Sequence, residues 1–467
     1  MRKTKIICTL GPSSNTKDII KQMALAGMNV ARLNMSHGTH ESHRSLISLV
    51  KQVRNELHLP IAIMIDTKGP EIRICQFENA FIKLEAGETF TLTTDTVLGN
   101  QKRVGVTLKS FNKLVKVGSI VLINDGLVKL QVEQIKSKNV ICRVLVGGVL
   151  SNNKSINIPG VSLDKEYLSD VDKQDLLFGI EQDADIFAIS FVGSKNDVLS
   201  VRKFLNENGS NNALICSKIE SQRGVDNLQE IIEVSDSLMV ARGDLGVEIA
   251  FEKIPFVQKM MIKKCIDNGK NVITATEMLE SMIYNIRPTR AEISDVANAV
   301  EDGSSAVMLS GETSAGQNPV LSIQTMASII EEKEKDLKYC ISEQEEPAKD
   351  VSNGIGLASV DLASSLNAKA IVVVTNSGAA AKSVSRYRPI APIIACTPNV
   401  KSFNQMSLYW GVVPVLDNNY EDTDSMLRSA REKAKRTKLV KKGDMIVQTA
   451  SILAEKSGSN LVLVEKI

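Results

Sequence analysis

Short apolar runs of five to seven residues recur along the chain, each ending on polar or glycine-bearing residues and each followed by helical spacing. They are KIICTL (5–10), NVARLN (29–34), IAIMID (61–66), IFAIS (186–190), ALICSKI (213–219), SLMVA (237–241), NVITAT (271–276) and AVMLS (306–310). Strands that alternate with helices belong to a parallel sheet, and eight such units predict a (β/α)8 barrel. One helix is well marked. Thr289 and Glu292 form a T-x-x-E capping box, Ile293, Val296, Ala297 and Val300 follow at helical spacing, and Gly303 supplies the stop.

Between the third and fourth runs the helical spacing disappears for about a hundred residues. Residues 70–167 carry short alternating segments instead, such as TFTLTTD and IVLINDGLVKLQVEQI, where NDG predicts a hairpin turn. An all-β domain is therefore expected inside the barrel, entered directly after IDTKGP. The barrel is then residues 1–69 and 168–346, roughly 248 residues, close to the usual barrel size. A charge-rich stretch, EEKEKDLKYCISEQEEPAKD (331–350), leads into a third region, 347–467. There IGLASVDLASSLNA, AIVVVTNSG, AKSVSRYRP, PIIACTP and VVPVLD alternate helix and strand. The strands DMIVQTA and LVLVEKI close this second, smaller α/β domain.

Composition narrows the class without adding a partner. The chain has 467 residues, 43% hydrophobic and 24% charged, as in ordinary globular proteins with large cores. A formal charge of +2 points to neither nucleic acid nor membrane. The densest basic run, REKAKRTKLVKK (431–442), reads as the exposed end of a helix and its loop. The start, MRKTKIICTLGPSS, predicts a strand rather than a signal peptide, and no apolar stretch reaches the ~18 residues of a membrane span. Cys8, Cys75, Cys142, Cys216, Cys265, Cys340 and Cys396 are scattered without a C-x-x-C pair, which predicts reduced core thiols in a cytoplasmic protein. His40 and His43 share a helical face; with no carboxylate or cysteine companions, they are expected on a surface helix.

Barrel active sites lie at the C-terminal ends of the strands. Those ends supply Arg32, Asn34 and Ser36, then Asp66, Thr67 and Lys68, then Lys218 and Glu220, then Arg242, Gly243 and Asp244, and finally Thr276 and Glu277. In a strand, residues two apart share a face, so Lys218 and Glu220 place a cation and an anion together where an apolar run should continue. Glu220 and Asp244 come from adjacent strands and offer hard oxygen ligands suited to Mg2+ or Mn2+. Arg32 and Lys218 offer fixed positive charge to a phosphate or a developing anion. Gly243, in ARGDLG, allows backbone N–H groups close to a bound anion. No histidine, cysteine or serine stands in a nucleophile–base arrangement.

These residues sit in longer motifs: ARLNMSHG (31–38), DTKGPEIR (66–73), SKIES (217–221), MVARGDLGVEI (239–249), ITATEMLESMIYNIRPTRAEISDVANAVEDG (273–303) and MLSGET (308–313). With them the chain resembles the pyruvate kinases of the short bacterial type. The resemblance implies a (β/α)8 TIM barrel with an inserted lid domain, a C-terminal α/β regulatory domain and no appended phosphohistidine-type domain. It implies phosphoryl transfer from phosphoenolpyruvate to ADP, the last step of glycolysis, by an allosteric homotetramer in the cytoplasm. Under it Lys218, Arg32 and Thr276 are catalytic. Arg32 and Lys218 hold the phosphoryl group, Gly243, Asp244 and Thr276 hold the substrate carboxylate, and Glu220 and Asp244 bind Mg2+ or Mn2+. It further implies a K+ site at Asn34, Ser36, Asp66 and Thr67, and nucleotide contacts at Asn34, His37, Arg73 and Lys154. An effector-phosphate loop is implied at Thr375, Asn376, Ser377 and Gly378.

Several positions depart from or qualify that pattern. Glu277 stands where the family usually has glutamine, and is expected to point away from Thr276. Ser155, in NKSINIPG, replaces the usual glycine beside Lys154. The final loop, TASILAEKSGSN, lacks the usual sugar-bisphosphate pattern, so the effector's identity stays open. Glu71 stands where a lysine would accompany potassium independence, so K+ dependence is expected. Two other classes fit parts of the pattern: a metal-dependent aldolase or lyase acting on pyruvate, and an inactive sensor that keeps the fold. The first would not require Arg32 and Lys218 poised on a phosphate, nor a lid carrying Arg73 and Lys154, and the intact set of Arg32, Lys218, Glu220, Asp244 and Thr276 argues against the second.

Overall fold

Eight parallel strands close on themselves: β1 (Lys5–Thr9), β2 (Val30–Asn34), β3 (Ala62–Asp66), β4 (Ile186–Ile189), β5 (Leu214–Ile219), β6 (Ser237–Ala241), β7 (Asn271–Ala275) and β8 (Ala306–Leu309). Each pairs with its neighbours in sequence, and Lys5 opposite Ala306 joins the last strand to the first. The structure, a computed structural model, describes residues 1–161, 167–337, 350–418, 420–451 and 458–467. The eight strands coincide with the eight apolar runs to within two residues at each end.

Alternation sorts their side chains. Ile6, Cys8, Ile63, Ile65, Ile215, Leu238, Val240, Val272 and Val307 face outward into the layer shared with the helices. Ile7, Val30, Ala62, Met64, Cys216, Met239, Ile273 and Met308 fill the barrel interior. The marked helix, Arg290–Glu301, has the expected box: the Glu292 N–H donates to Thr289 Oγ1 (3.2 Å) and Glu292 Oε2 accepts from the Thr289 N–H (2.7 Å). Its stop is Gly303, at φ +99°. Its core contacts come from Val296, Ala299 and Val300, whereas Ile293 is 40% exposed.

The inserted region forms a seven-stranded, mostly antiparallel sheet and a separate two-stranded one around its own core, including Ile74, Phe90, Leu92, Phe111, Leu130 and Val140. Among its described residues the one helix is the single turn Phe111–Leu114. The NDG turn joins Ile120–Ile123 to Val128–Lys136 with Asn124, Asp125 and Gly126 all at positive φ, the region that Asn, Asp and Gly tolerate best. Lid and barrel meet where Asn157 Nδ2 donates to Glu248 Oε1 (3.1 Å).

The C-terminal region is a five-stranded sheet in the order 412–416, 393–397, 370–374, 445–450, 461–466, parallel except at the last strand. The basic run ends a helix, Thr423–Arg436. This domain lies under the N-terminal ends of the barrel strands, and one apolar cluster runs from Ile7, Met64 and Met239 into Ile371, Ile393, Tyr409 and Val447. Around that cluster its side chains cap barrel carbonyls. Ser407 Oγ donates to Asn29 (3.0 Å), Gln405 Nε2 to Asn212 (2.7 Å), Lys382 Nζ to Asp236 (2.9 Å) and Arg388 Nη2 to Gly303 (2.8 Å). In return Lys5 Nζ, buried at the start of β1, donates to the Val412 carbonyl (2.7 Å).

Among the described residues the six cysteines are free thiols, all but Cys75 buried; Cys340 lies outside them. No helix there is long and apolar enough to cross a membrane. The expected surface placement of the histidines holds only in part. His43 is buried, and His40 stacks on Phe178 and bonds Asp175 (2.6 Å), a carboxylate from a distant helix.

Candidate active site

Period-two alternation carries Leu214, Cys216, Lys218 and Glu220 along one face of β5, and the barrel's curvature turns that face inward. At the top of the interior Lys218 Nζ meets three partners: Asp66 Oδ1 (3.0 Å), Glu220 Oε1 (3.0 Å) and Ser190 Oγ (2.7 Å). The second oxygen of Asp66 accepts from Arg32 Nε (2.6 Å), and Arg32 Nη1 donates to Thr9 Oγ1 (2.8 Å). The tips of β1, β2, β3 and β5 and the residue after β4 are thus tied into one buried network. Asp66 has no exposed surface at all.

Burial would raise the Asp66 carboxyl, but Arg32 and Lys218 outweigh it and hold the group below the usual carboxylate range. Burial likewise works against the charge on Lys218, and Asp66 and Glu220 overcome it, so the ammonium is retained more strongly than in water. Glu220 differs. Burial pushes it up to about 7 against the pull of Lys218, and the nearby negative charge of Asp244 adds to the push. Its Oε2 also accepts from the Phe191 N–H (2.7 Å). A buried carboxylate raised by a second carboxylate is a site that gains by receiving positive charge.

The β6 and β7 tips form the other half of the rim. β6 runs straight into the short helix Arg242–Glu248, whose Gly243 N–H donates to Thr276 Oγ1 (2.8 Å). Thr276 and Glu277 both have positive φ, +69° and +54°, unusual for any side chain and strained for a β-branched one. Arg242 fixes that conformation by donating to the Thr276 carbonyl (2.6 Å) and the Ala275 carbonyl (3.3 Å), while its Nη1 reaches both oxygens of Asp295 (2.7 and 2.6 Å). The Glu277 side chain is exposed. A β-carbon at Gly243 would meet Thr276 only at ordinary contact distance, 3.5 Å, so the fold itself does not demand glycine there. Asp244 and Glu248, one helical turn apart, line a cavity of about 590 Å3 whose opposite wall is the lid.

The remaining candidates fall into three places. Asn34 lies opposite Asp66 on the neighbouring strand, and Ser36 and His37 follow in a turn where the Ser36 N–H donates to Asn34 Oδ1 (3.1 Å). Thr67 Oγ1 lies 3.4 Å from the Ser190 N–H. Arg73 and Lys154 belong to paired lid segments, with Arg73 opposite Ser155 and Arg73 Nη1 donating to the Asn153 carbonyl (2.7 Å). Glu71 pairs with Arg73 (2.7 Å), and Ser155 Oγ donates to Asp125 Oδ1 (3.0 Å). Across the molecule, Thr375 to Gly378 form the turn after strand 370–374. Asn376 and Ser377 are exposed there, but the Gly378 N–H is already bonded to Thr375 Oγ1 (3.0 Å). Residues 452–457 of the final loop lie outside the described residues.

Three residues of this geometry carry no sign in the sequence that marks them, Thr9, Ser190 and Asp295, and Arg242, picked out as a strand tip, gives no sign there of bridging two tips. Each holds another side chain or a backbone segment and projects no chemistry of its own. Only the ending of the run IFAIS on a serine could have drawn attention to Ser190.

Comparison with known proteins agrees over the whole length. Residues 1–323 match the family described as pyruvate kinase, barrel domain, and residues 353–465 match pyruvate kinase, alpha/beta domain. The chain is 44% identical to a pyruvate kinase of Clostridium acetobutylicum, over 99% of both chains. It is 45% identical to one from Staphylococcus saprophyticus, over 99% of this chain and 80% of that one. The crystal structure of a pyruvate kinase from Cryptosporidium parvum superposes with a TM-score of 0.93 at 37% identity, covering all of this chain and 96% of the other. A barrel with an inserted β lid, a C-terminal α/β domain and this likeness in both sequence and shape lead to one conclusion: the chain belongs to the pyruvate kinase family.

Proposed function

We propose that Arg32, Lys218, Glu220, Asp244 and Thr276 carry the transfer of a phosphoryl group from phosphoenolpyruvate to ADP. This is the reaction of the family, the final step of glycolysis, which gives pyruvate and ATP through an enolate. The supporting observation is the pair of cations, Arg32 and Lys218, held on one buried carboxylate beside a second carboxylate that burial drives upward. Phosphoryl transfer needs positioning and charge neutralisation more than a covalent partner.

Arg32 commits Nε to Asp66 and Nη1 to Thr9, which leaves Nη2 to receive phosphoryl oxygens. Lys218 keeps its ammonium charged and fixed by three partners; its role is to hold the same phosphoryl group and to stabilise the enolate as that group leaves. The Asp244 N–H, at the first turn of a helix, holds the substrate carboxylate together with the Gly243 N–H and the Thr276 hydroxyl, which exchange their present bonds to Thr276 Oγ1 and the Ala275 carbonyl for it. Mg2+ or Mn2+ fits Glu220 and Asp244: two hard oxygen donors, one buried and one open to the cavity, are too few for a closed cage and leave positions for substrate oxygens. When bound there, the ion supplies positive charge to the substrate carboxylate and the enolate oxygen.

Asn34, Ser36, Asp66 and Thr67 bring oxygens to two adjacent tips and suit K+, whose charge would stand beside the phosphoryl group. Asn34, His37, Arg73 and Lys154 contact the nucleotide. Thr375, Asn376, Ser377 and Gly378 form the loop for a phosphorylated allosteric effector, and the enzyme works as a cytoplasmic homotetramer. A coupled assay with phosphoenolpyruvate, ADP, Mg2+ and K+ tests the reaction, and sugar phosphates and AMP titrated into the same assay test the loop. Glu220→Gln and Asp244→Asn should each remove most of the activity, because neutral amides replace carboxylates opposite a dication. Near-normal turnover in either variant at ordinary Mg2+ would overturn the metal assignment.

A further inference from the structure

The helix His40–Leu57 contains one buried group that the site so far leaves unused. His43 is 5% exposed, its Nε2 lies 2.7 Å from the His37 carbonyl, and its Nδ1 is buried with no hydrogen-bond partner among the described residues. The carbonyl can only accept, so Nε2 carries the proton and Nδ1 is the lone-pair nitrogen. Burying half an imidazole unsatisfied costs free energy that an apolar side chain would avoid. The same helix buries Leu46, Ile47, Val50 and Val53, and a leucine at 43 would extend that row. The bond to His37 is what the histidine gains.

That bond ends on the turn after β2. Within it the Met35 N–H donates to the Asp66 carbonyl (2.9 Å), the His37 N–H to the Asn34 carbonyl (3.2 Å) and the Ser36 N–H to Asn34 Oδ1 (3.1 Å). The turn closes at Gly38, φ +76°, where a β-carbon would stand 2.9 Å from Ser42 Oγ and 3.3 Å from His43 Nε2. Glycine thus lets the backbone settle directly onto the imidazole. The neighbouring His40 is bonded to Asp175 instead. The turn is therefore anchored to β3 at one end and to His43 at the other, with the His37 side chain exposed between them.

We propose that His43 is a positioning residue for ADP: its Nε2–H holds the His37 carbonyl so that the turn presents Asn34 and His37 to the nucleoside diphosphate. This rests on reading Asn34 and His37 as nucleotide contacts. In the full-length enzyme, His43→Leu removes the donor while keeping an apolar filling, and His43→Gln keeps an N–H donor at similar reach. His43→Leu should raise the KM for ADP roughly tenfold, the effect of losing one hydrogen bond, and leave the KM for phosphoenolpyruvate within about twofold. His43→Gln should bring the ADP value back to within about threefold of the unmodified enzyme. The calorimetric Kd for ADP should follow the same order. Equal rises in both KM values, an unchanged ADP KM in His43→Leu, or a glutamine variant as impaired as the leucine one would each overturn the proposal. Should His43→Leu not fold, a His43→Gln enzyme with a tenfold raised ADP KM overturns it as well. Asn34→Ala separates the two levels. If it leaves ADP binding unchanged, the nucleotide reading has failed; if it weakens ADP and His43→Leu does not, only the role of His43 has.

Discussion

Lys218 and Arg32 are anchored on the same carboxylate, one oxygen of Asp66 at 3.0 Å from the ammonium and the other at 2.6 Å from the guanidinium. Two cations this close repel each other, and in a buried site that repulsion would drive them apart or into neutrality. Asp66 offsets the repulsion and fixes both heads, so its part in the site is larger than the K+ ligand that the family resemblance implies.

Asp66→Asn should therefore lower kcat by about 100-fold or more with a smaller change in the KM for phosphoenolpyruvate, the scale seen when a preorganised charge is lost. It should also cost about 3–5 kcal/mol of stability, because two buried cations lose their shared counter-charge. Steady-state kinetics and denaturant unfolding of the same preparation measure both. A variant with normal kcat would remove Asp66 from the catalytic arrangement.

Lys218→Met should leave phosphoenolpyruvate and divalent-metal binding measurable while collapsing kcat. The ammonium matters most as charge develops on the enolate, and an interaction made mainly in the transition state lowers kcat more than it raises KM. If kcat stays normal and only KM rises, Lys218 is a binding residue and nothing more.

Potassium dependence turns on Glu71. With K+ held as proposed at Asn34, Ser36, Asp66 and Thr67, removing it would take a positive charge from beside the phosphoryl group, worth at most roughly 4 kcal/mol for a close pair at intermediate dielectric. Activity should fall steeply when K+ is replaced by a bulky organic cation, and Glu71→Lys should recover part of it. Because Glu71 is paired with Arg73, the lysine variant should also show a raised KM for ADP. Equal rates of the unmodified enzyme with and without K+ would refute the assignment.

Lys5 and Lys382 should make stability rise with pH between about 7 and 8.5; above that the buried thiols of Cys8, Cys142, Cys216, Cys265 and Cys396, which burial holds protonated, act in the opposite sense. Burial lowers Lys5 to about 7 and Lys382 to about 8, so between those values and their ordinary value near 10.5 the unfolded chain binds more protons than the folded one. Each contributes a slope of up to about 1.4 kcal/mol per pH unit in that window, which fades as pH falls through the folded value of each and both states become protonated. Melting temperatures at about pH 7 and 8.5 measure it. The Lys5→Met, Lys382→Met double variant should show a flatter profile than the unmodified chain; an identical profile would refute the titration of these lysines.

What could be read beforehand follows from how local each feature is. The eight strands and the shared face of Lys218 and Glu220 depend on spacing alone, and spacing is visible in the sequence. The meeting of Asp66 with Lys218 depends on closure of the barrel, which brings β3 and β5 together across β4, and no local pattern encodes that. The strained Thr276 was equally hidden, since threonine gives no sign of positive φ; Arg242 and Asp295 impose it from outside the strand. Helical spacing placed Ile293 with Val296 and Val300, yet the turn nearest the cap stands away from the core, and Ala299 takes up the contact instead. His43 was read as a surface residue because its partner is a backbone carbonyl, which composition does not display.

The barrel's missing floor has a consequence for how the protein is made. Synthesis proceeds from the N-terminus, so all eight barrel strands leave the ribosome before residues 370–450, which cover Ile7, Met64 and Met239, have emerged. Until then nothing covers the apolar base of the barrel, and the carbonyls of Asn29, Asn212, Asp236 and Gly303, just ahead of their strands, lack the C-terminal donors that the finished chain gives them. The final quarter of the chain acts as the stopper that ends this exposed interval. A chimaera between relatives should be most soluble when both sides of that apolar seam come from the same parent.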